Sequence, residues 1–257
     1  MKTIVIKCGG SVLEELSEGF FNSVRSLVED GYKPVIIHGG GPAINAMLEL
    51  YQIKAKFHNG LRVTCEKTMD VVEMVLSGKT NRMLVSMLEN RGLAAIGLYG
   101  SDGKCLGADY INKEKLGFVG HITMVRTAMI SKWSNAGYIP VMTPVGAAQD
   151  GSKLNINADY AAAAVAKALD AERCLFVTNV DGLMIDGELI PEADERQIGQ
   201  WIESGQIYGG MIPKVESALS VLNKGIDTVM IVPGNNDFYS NGGWKGTAVV
   251  KKAEVYR

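Results

Sequence analysis

The sequence predicts an α/β fold in which helices cover both faces of a mainly parallel sheet, and two patterns carry that prediction. Short apolar or β-branched runs alternate with longer segments of helical periodicity along the whole chain. Two of those runs lead straight into glycine-rich corners, where a strand turns into a helix.

The first strand, Thr3 to Ile6, enters the corner Lys7-Cys8-Gly9-Gly10-Ser11. A helix follows Ser17, because Phe21, Val24 and Val28 recur at helical spacing. Val35 to Ile37 is the second strand and His38-Gly39-Gly40-Gly41-Pro42 the second corner. Pro42 suits a first helical turn, and Ile44, Met47 and Leu48 supply the apolar face behind it. A helical pattern runs from Met69 to Leu88, and further strands fall at Ala94 to Tyr99, Ile139 to Thr143, Cys174 to Thr178 and Thr228 to Val232. Between Gly100 and Val125 the rhythm breaks, and glycines punctuate short segments that read as hairpins at a sheet edge covering a site. Asn155-Ile156-Asn157-Ala158-Asp159 is a third corner, ahead of the alanine-rich helix Ala161 to Ala168. Gly209-Gly210-Met211-Ile212-Pro213-Lys214 opens a later helix. The Asn- and Gly-rich stretch Asn235 to Gly246 reads as a loop before a terminal strand, Thr247 to Val250.

At 257 residues and 47% hydrophobic, the chain can bury a full core as a single domain with two lobes. A net charge of −2, with no basic cluster interleaved with aromatics, disfavours nucleic acid as a partner. Cys8, Cys65, Cys105 and Cys174 lie far apart with no C-x-x-C spacing, and only three histidines are present, so structural zinc and a disulfide framework are disfavoured. No charged leader or apolar h-region precedes Thr3 and no apolar run reaches membrane-spanning length. The expectation is a cytoplasmic protein with no membrane partner.

Backbone N–H groups at a helix start, with the positive end of the helix dipole behind them, hold anions without a metal. Each glycine corner alone is equally a tight packing turn. Two such corners with two lysines point to phosphate. An ionised Lys7 at the end of an apolar strand is costly unless an anion is near; otherwise it is a strand-edge lysine in water. Lys214 sits in a first helical turn, where its charge opposes the helix dipole and a phosphate would explain it. Asp159, on the residues alone, could merely cap the alanine-rich helix.

Two nucleotide motifs fail. Ile44 stands where a third glycine of G-x-G-x-x-G belongs, and Gly78-Lys79-Thr80 lies inside a helical pattern with Glu73 at the required upstream glycine. His38 reads as a satisfied strand-end histidine, and the scattered methionines as core filler.

Five ordered motifs, K-x-G-G-S from Lys7, H-G-G-G-P from His38, N-G-L-R-V-T from Asn59, N-I-N-A-D from Asn155 and G-G-M-I-P-K from Gly209, resemble the amino acid kinase family end to end. The resemblance implies a three-layer αβα sandwich with an open, mainly parallel sheet. Its first lobe, to about residue 151, would hold an acyl acceptor and its second, from about 152 to 257, ATP with Mg²⁺ bound mainly through the nucleotide. The motifs Asn59 to Thr64 and Met211 to Lys214 are most similar to members that phosphorylate the γ-carboxylate of N-acetyl-L-glutamate, a step of arginine biosynthesis.

By the same resemblance, Lys7 and Lys214 flank the transferring phosphoryl group and Asp159 holds both lysines. Gly9 and Gly10 lie at the phosphates, while Gly40 and Gly41 face the acceptor. Arg62 and Asn155 hold the substrate's α-carboxylate and acetamido group, although Arg62 also reads as a surface arginine beside Glu66. Thr178, Asn179, Asp181 and Met211 line the nucleotide pocket, with Asn157 near the phosphates. Cys8 replaces the family's usual larger aliphatic residue, which leaves the corner open to oxidation. Arginine-inhibited members carry an extra N-terminal helix ahead of the first strand, so a homodimer insensitive to arginine is expected. Two other readings stay open: a kinase of a related acylated or carrier-linked amino acid, such as an α-aminoadipate derivative, and a non-catalytic nucleotide or amino-acid sensor.

Overall fold

Each predicted strand forms in a computed structural model that describes residues 2–226 and 228–251. β1 (Thr3–Cys8) leads through the first glycine corner to α1 (Glu18–Glu29), and β2 (Lys33–His38) through the second to α2 (Gly41–Leu50). A hairpin of β3 (Phe57–His58) and β4 (Leu61–Arg62) follows. Its two-residue turn is Asn59-Gly60, with φ of 48° and 75°, a left-handed pair that Asn-Gly adopts at least cost. The predicted helix then runs longer than its apolar pattern, as α3 (Glu66–Glu73), a π-helical stretch Met74–Asn81 and α4 (Arg82–Glu89). The Gly78-Lys79-Thr80 triplet lies in that π-helical stretch, not in a phosphate loop.

The chain continues through β5 (Ala95–Tyr99), β6 (Leu106–Tyr110), the short α5 (Lys113–Leu116) and β7 (Val119–Val125). Next come α6 (Thr127–Asn135), β8 (Ile139–Thr143), β9 (Val145–Ala147), β10 (Lys153–Ile156) and α7 (Ala158–Ala168). β11 (Arg173–Thr178) precedes a small hairpin of β12 (Met184–Ile185) and β13 (Glu188–Leu189), then β14 (Glu192–Asp194) and α8 (Glu195–Glu203). The last elements are α9 (Ile212–Leu222), β15 (Thr228–Pro233), a hairpin of β16 (Tyr239–Ser240) and β17 (Gly243–Trp244), and β18 (Thr247–Val250).

Eight strands form the main sheet in the order β14-β18-β15-β11-β1-β2-β8-β5. It is parallel except that β18 runs antiparallel to β15 and carries β14 with it. Successive strand residues point to opposite faces. Ile4, Ile6 and Cys8 join Phe20, Phe21, Val24 and Leu27 of α1 and Leu84 and Leu88 of α4 in one core. Val5, Ile37 and Phe176 join Ala162, Val165 and Val215 of α7 and α9 in the other. The sheet is thus the middle of three layers. Both glycine corners sit at its carboxyl edge, beside the strand where the winding reverses from β2 on one side of β1 to β11 on the other, which is where open α/β sheets bind ligands.

Two expectations need correction. The hairpin between Gly100 and Val125 exists as β6 and β7, but it does not extend the main sheet; it closes into a four-stranded barrel with β9 and β10. Leu106, Ala108, Leu154 and Ile156 are buried there, and an edge position would have left such residues in water. The stretch Asn235 to Gly246 is not only loop, since β16 and β17 lie within it.

α1 holds that late stretch through a buried serine. Ser23 Oγ accepts the N–H groups of Phe238 and Tyr239 at 2.9 and 3.1 Å and donates to Gly19 O at 3.0 Å. Replacing it orphans two buried donors. Ser23→Ala is therefore expected to destabilise the fold by about 2 kcal/mol, lowering Tm by roughly 4–8 °C. Calorimetry showing an unchanged Tm would mean that these bonds contribute nothing net.

Candidate active site

Strand alternation aims Lys7 at the α7 face, because its neighbours Ile6 and Cys8 belong to the opposite core. β1 is a central strand, so Lys7 stands between Phe176 of β11 and Ile37 of β2 in the register. Its Nζ lies 2.8 Å from Asp159 Oδ1, with side chains 17% and 18% exposed, and 5.3 Å from the centre of the Phe176 ring. Lys7 is therefore no strand-edge lysine in water. Nor does Asp159 cap its helix: Asn157 does so, its Oδ1 accepting the N–H groups of Asp159 and Tyr160 at 2.8 and 3.3 Å. That cap leaves the Asp159 carboxylate free to face Lys7.

The two glycine corners close on each other beside this pair. A Cβ on Gly10 would lie 2.8 Å from the amide nitrogens of both Gly40 and Gly41. Only glycine permits that approach. The start of α2 leaves the N–H groups of Gly40 and Gly41 without intrahelical acceptors, so the space beside Gly10 is a cradle of donors for an anion. Leu76, from the π-helical stretch, packs against Gly40 from behind.

His38 is buried at the end of β2. Its Nδ1 donates to Gly39 O at 3.0 Å and its Nε2 accepts from Asn81 Nδ2 at 3.2 Å. Burial pushes its pKa down to about 4, so the ring is neutral and supports the corner, as the sequence reading held. Cys8 corrects another expectation. It is fully buried and its thiol is pushed up to about 12, which removes the thiolate that oxidation needs.

A cavity of about 400 Å³ opens beyond the cradle, and Lys7, Gly9, Gly10, Gly40, Gly41, Arg62, Asn155, Asn157 and Asp159 all line it. Within this lining Arg62 is 8% exposed, not a surface residue beside Glu66. Nη2 donates to Gly41 O at 3.3 Å, and the Phe57 ring centre lies 4.8 Å from Cζ. Nη1 is buried and has no hydrogen-bond partner among the described residues. Burial alone lowers the pKa of Arg62, the signature of a cation held out of water. Such a donor calls for an anion. Beside it, Thr64 Oγ1 donates to Arg62 O at 2.7 Å and accepts from Asn155 Nδ2 at 3.1 Å. That orientation leaves Asn155 with a carbonyl oxygen and one amide hydrogen to offer, the complement of a secondary amide.

The remaining predicted residues gather elsewhere, at the end of β11 and the start of α9. Lys214 Nζ donates to Asn179 Oδ1 at 2.7 Å, and burial lowers its pKa. Thr178 Oγ1 is satisfied by Val180, while Asp181 is exposed and Met211 half-buried against the α7–α9 core. None of these five lines the 400 Å³ cavity. Of the two lysines that Asp159 was expected to hold, it contacts Lys7, while Lys214 is on Asn179. The second oxygen of Asp159, Oδ2, accepts from Ser217 Oγ at 2.8 Å, one helical turn beyond Lys214.

Sequence reasoning missed Phe57, Thr64 and Ser217. The first was within reach, because an Asn-Gly hairpin turn fixes a register that puts Phe57 opposite Arg62. Ser217 had only its spacing of three from Lys214 as a signal.

Comparisons with known proteins place the chain in a family. The sequence model of the amino acid kinase family matches residues 2–233. An acetylglutamate kinase of Geobacillus kaustophilus is 52% identical over 255 residues, covering 99% of each chain, and one of Geobacillus stearothermophilus is 51% identical over the same span and coverage. The crystal structure of smu.665 from Streptococcus mutans UA159 superposes with a TM-score of 0.82 at 35% identity, over 96% of this chain and 98% of that one. By its matched residues, its relatives and its three-layer fold, the chain belongs to the amino acid kinase family.

Proposed function

We propose that this protein transfers the γ-phosphoryl group of ATP to the γ-carboxylate of N-acetyl-L-glutamate, giving N-acetyl-L-glutamyl 5-phosphate and ADP. The reading rests above all on Arg62, a buried guanidinium with an unpartnered Nη1, in the lining of a cavity that also holds the glycine cradle and Lys7. A substrate with a carboxylate at each end of a short chain and an amide beside one of them suits that lining. The relatives named acetylglutamate kinase, matched over 99% of the chain, support the same acceptor.

A γ-carboxylate is ionised near pH 7, so no residue has to remove a proton from the nucleophile. Asp159 accordingly acts as the partner that fixes the Lys7 ammonium, not as a base. The obstacle is repulsion between an anionic nucleophile and an anionic phosphate. Charge and N–H dipoles fixed in advance lower that barrier, and here they are Lys7 with the amides of Gly9, Gly10, Gly40 and Gly41. As a carboxylate oxygen bonds to the γ-phosphorus, the bond to the β–γ bridging oxygen breaks and ADP leaves. Arg62 binds the α-carboxylate through its fork, and Asn155 accepts from and donates to the acetamido group.

The nucleotide belongs in this proposal to the second group, Thr178, Asn179, Asp181, Met211 and Lys214, with Lys214 moving from Asn179 to the γ-phosphate when ATP binds. Asn157, its Oδ1 spent on the helix cap, keeps its amide hydrogens for the phosphates. Mg²⁺, held mainly through the nucleotide, would supply charge neutralisation. A lobe boundary near residue 151 runs through the cavity itself, since Arg62 comes from one side of it and Asn155 from the other. A homodimer and a cytoplasmic location complete the proposal; among the described residues no helix is long and apolar enough to cross a membrane.

Acyl phosphate trapped as its hydroxamate, formed with ATP, Mg²⁺ and N-acetyl-L-glutamate and not with glutamate, aspartate or carbamate, is the expected result. Formation only with another acceptor would overturn the assignment of Arg62 and Asn155. Arg62→Lys should raise KM for the acceptor about 10-fold or more with little change in kcat, because an ammonium cannot make the paired contact; an equal KM would contradict it. Lys214→Ala should lower kcat about 10²- to 10³-fold with KM nearly constant, and an unaltered kcat would remove Lys214 from the reaction.

A further inference from the structure

We infer that Ser217 is a positioning residue for phosphoryl transfer: it locks the Asp159 carboxylate onto Lys7 and ties helix α9 to helix α7. The inference rests on the proposed kinase reaction and goes beyond it, because Ser217 lies outside every motif that pointed to that reaction.

A carboxylate with one oxygen on a lysine can still swing about its χ angles. Asp159 cannot do so without losing a second bond. Oδ1 lies 2.8 Å from Lys7 Nζ and Oδ2 lies 2.8 Å from Ser217 Oγ, so its two oxygens are held by two different elements. β1 supplies Lys7, the first turn of α7 supplies Asp159 and α9 supplies Ser217. A bond to an ionised acceptor is stronger than one between neutral groups, and this one is partly buried. Val215, two residues before Ser217, and Ala218, the residue after it, are buried in the core shared with α7, so the hydroxyl is carried on a rigid surface. Lys214 is one turn earlier on the same helix. Through Ser217, the acceptor-side ammonium and the helix bearing the second lysine share one fixed point. The direct clamp of Asp159 on Lys214 that the sequence led one to expect is replaced by this relay.

Ser217 touches neither of the proposed substrates' binding groups, so it acts through Asp159 alone. Ala is a better helix former than Ser, so Ser217→Ala should keep α9 folded. Ser217→Ala is expected to lower kcat about 10-fold while KM for ATP and for N-acetyl-L-glutamate stays within about 2-fold. Ser217→Thr, which keeps the hydroxyl, should restore kcat to within about 3-fold of the parent. In an Asp159→Asn background, Ser217→Ala should have less than about a 2-fold effect, since the bond it removes no longer serves an ion pair. An unchanged kcat in Ser217→Ala, or a full 10-fold loss persisting in the Asp159→Asn background, would overturn the inference.

If the parent protein forms no acyl phosphate from N-acetyl-L-glutamate, the kinase assignment fails on its own account. A crystal structure of Ser217→Ala then still decides the positioning role. The Asp159 carboxylate turned away from Lys7 supports it, and an unaltered Lys7–Asp159 contact overturns it.

Discussion

The site depends on one ion pair, Lys7 with Asp159, placed where the central strand of the sheet ends. A lysine there has apolar strands on either side and only partial access to water, so a fixed counter-charge offsets the cost of burying it. Every nearby feature serves that placement. Strand alternation turns Lys7 toward α7; Asn157 takes over the helix cap and so releases Asp159; Ser217 holds the far side of the carboxylate. The pair is neutral as a unit, yet it leaves Lys7 with ammonium hydrogens to offer an incoming anion.

Around that pair the fold builds a cavity with two sets of N–H donors. Two glycine corners approach so closely that Gly10 has no room for a side chain, while Leu76 leaves none at Gly40. Next to them the β3–β4 hairpin buries a guanidinium with a spare donor under an aromatic ring. Burying a cation without its full set of partners is unfavourable, and a ligand that completes the set recovers that energy on binding. The residues assigned to the nucleotide stand apart, with Lys214 occupied by Asn179. The two halves meet through α7 and α9, which lie together on one face of the sheet.

Much of this was legible in the sequence, for physical reasons. β-branched runs ending in glycines give both the parallel sheet and the position of its corners, and a charged residue at the end of such a run demands a counter-charge. Lys7, Gly10, Gly40, Gly41, Arg62, Asn155 and Asp159 were all found that way or through motif order. The failures share a cause, since they depend on which face meets which after the chain folds back. Periodicity shows the helix from Met69 to Leu88 but not its π-helical middle, because that stretch still buries Val75, Leu76 and Thr80 on one side. Hairpin signals between Gly100 and Val125 are real, but closure with β9 and β10 is a long-range event invisible to local pattern. Cap chemistry suits Asn and Asp alike, so the sequence could not separate Asn157 from Asp159. The contacts Lys214–Asn179 and Ser217–Asp159 join residues far apart in the chain.

The central claim is that one anion of the acceptor docks on Arg62 and the other lies in the glycine cradle beside Lys7. A crystal structure with N-acetyl-L-glutamate and a non-hydrolysable ATP analogue tests it directly. The account predicts the α-carboxylate about 3 Å from Arg62 Nη1 and the γ-carboxylate within about 3 Å of the Gly40 and Gly41 amides. A ligand bound in the reverse direction, or outside this cavity, would contradict it.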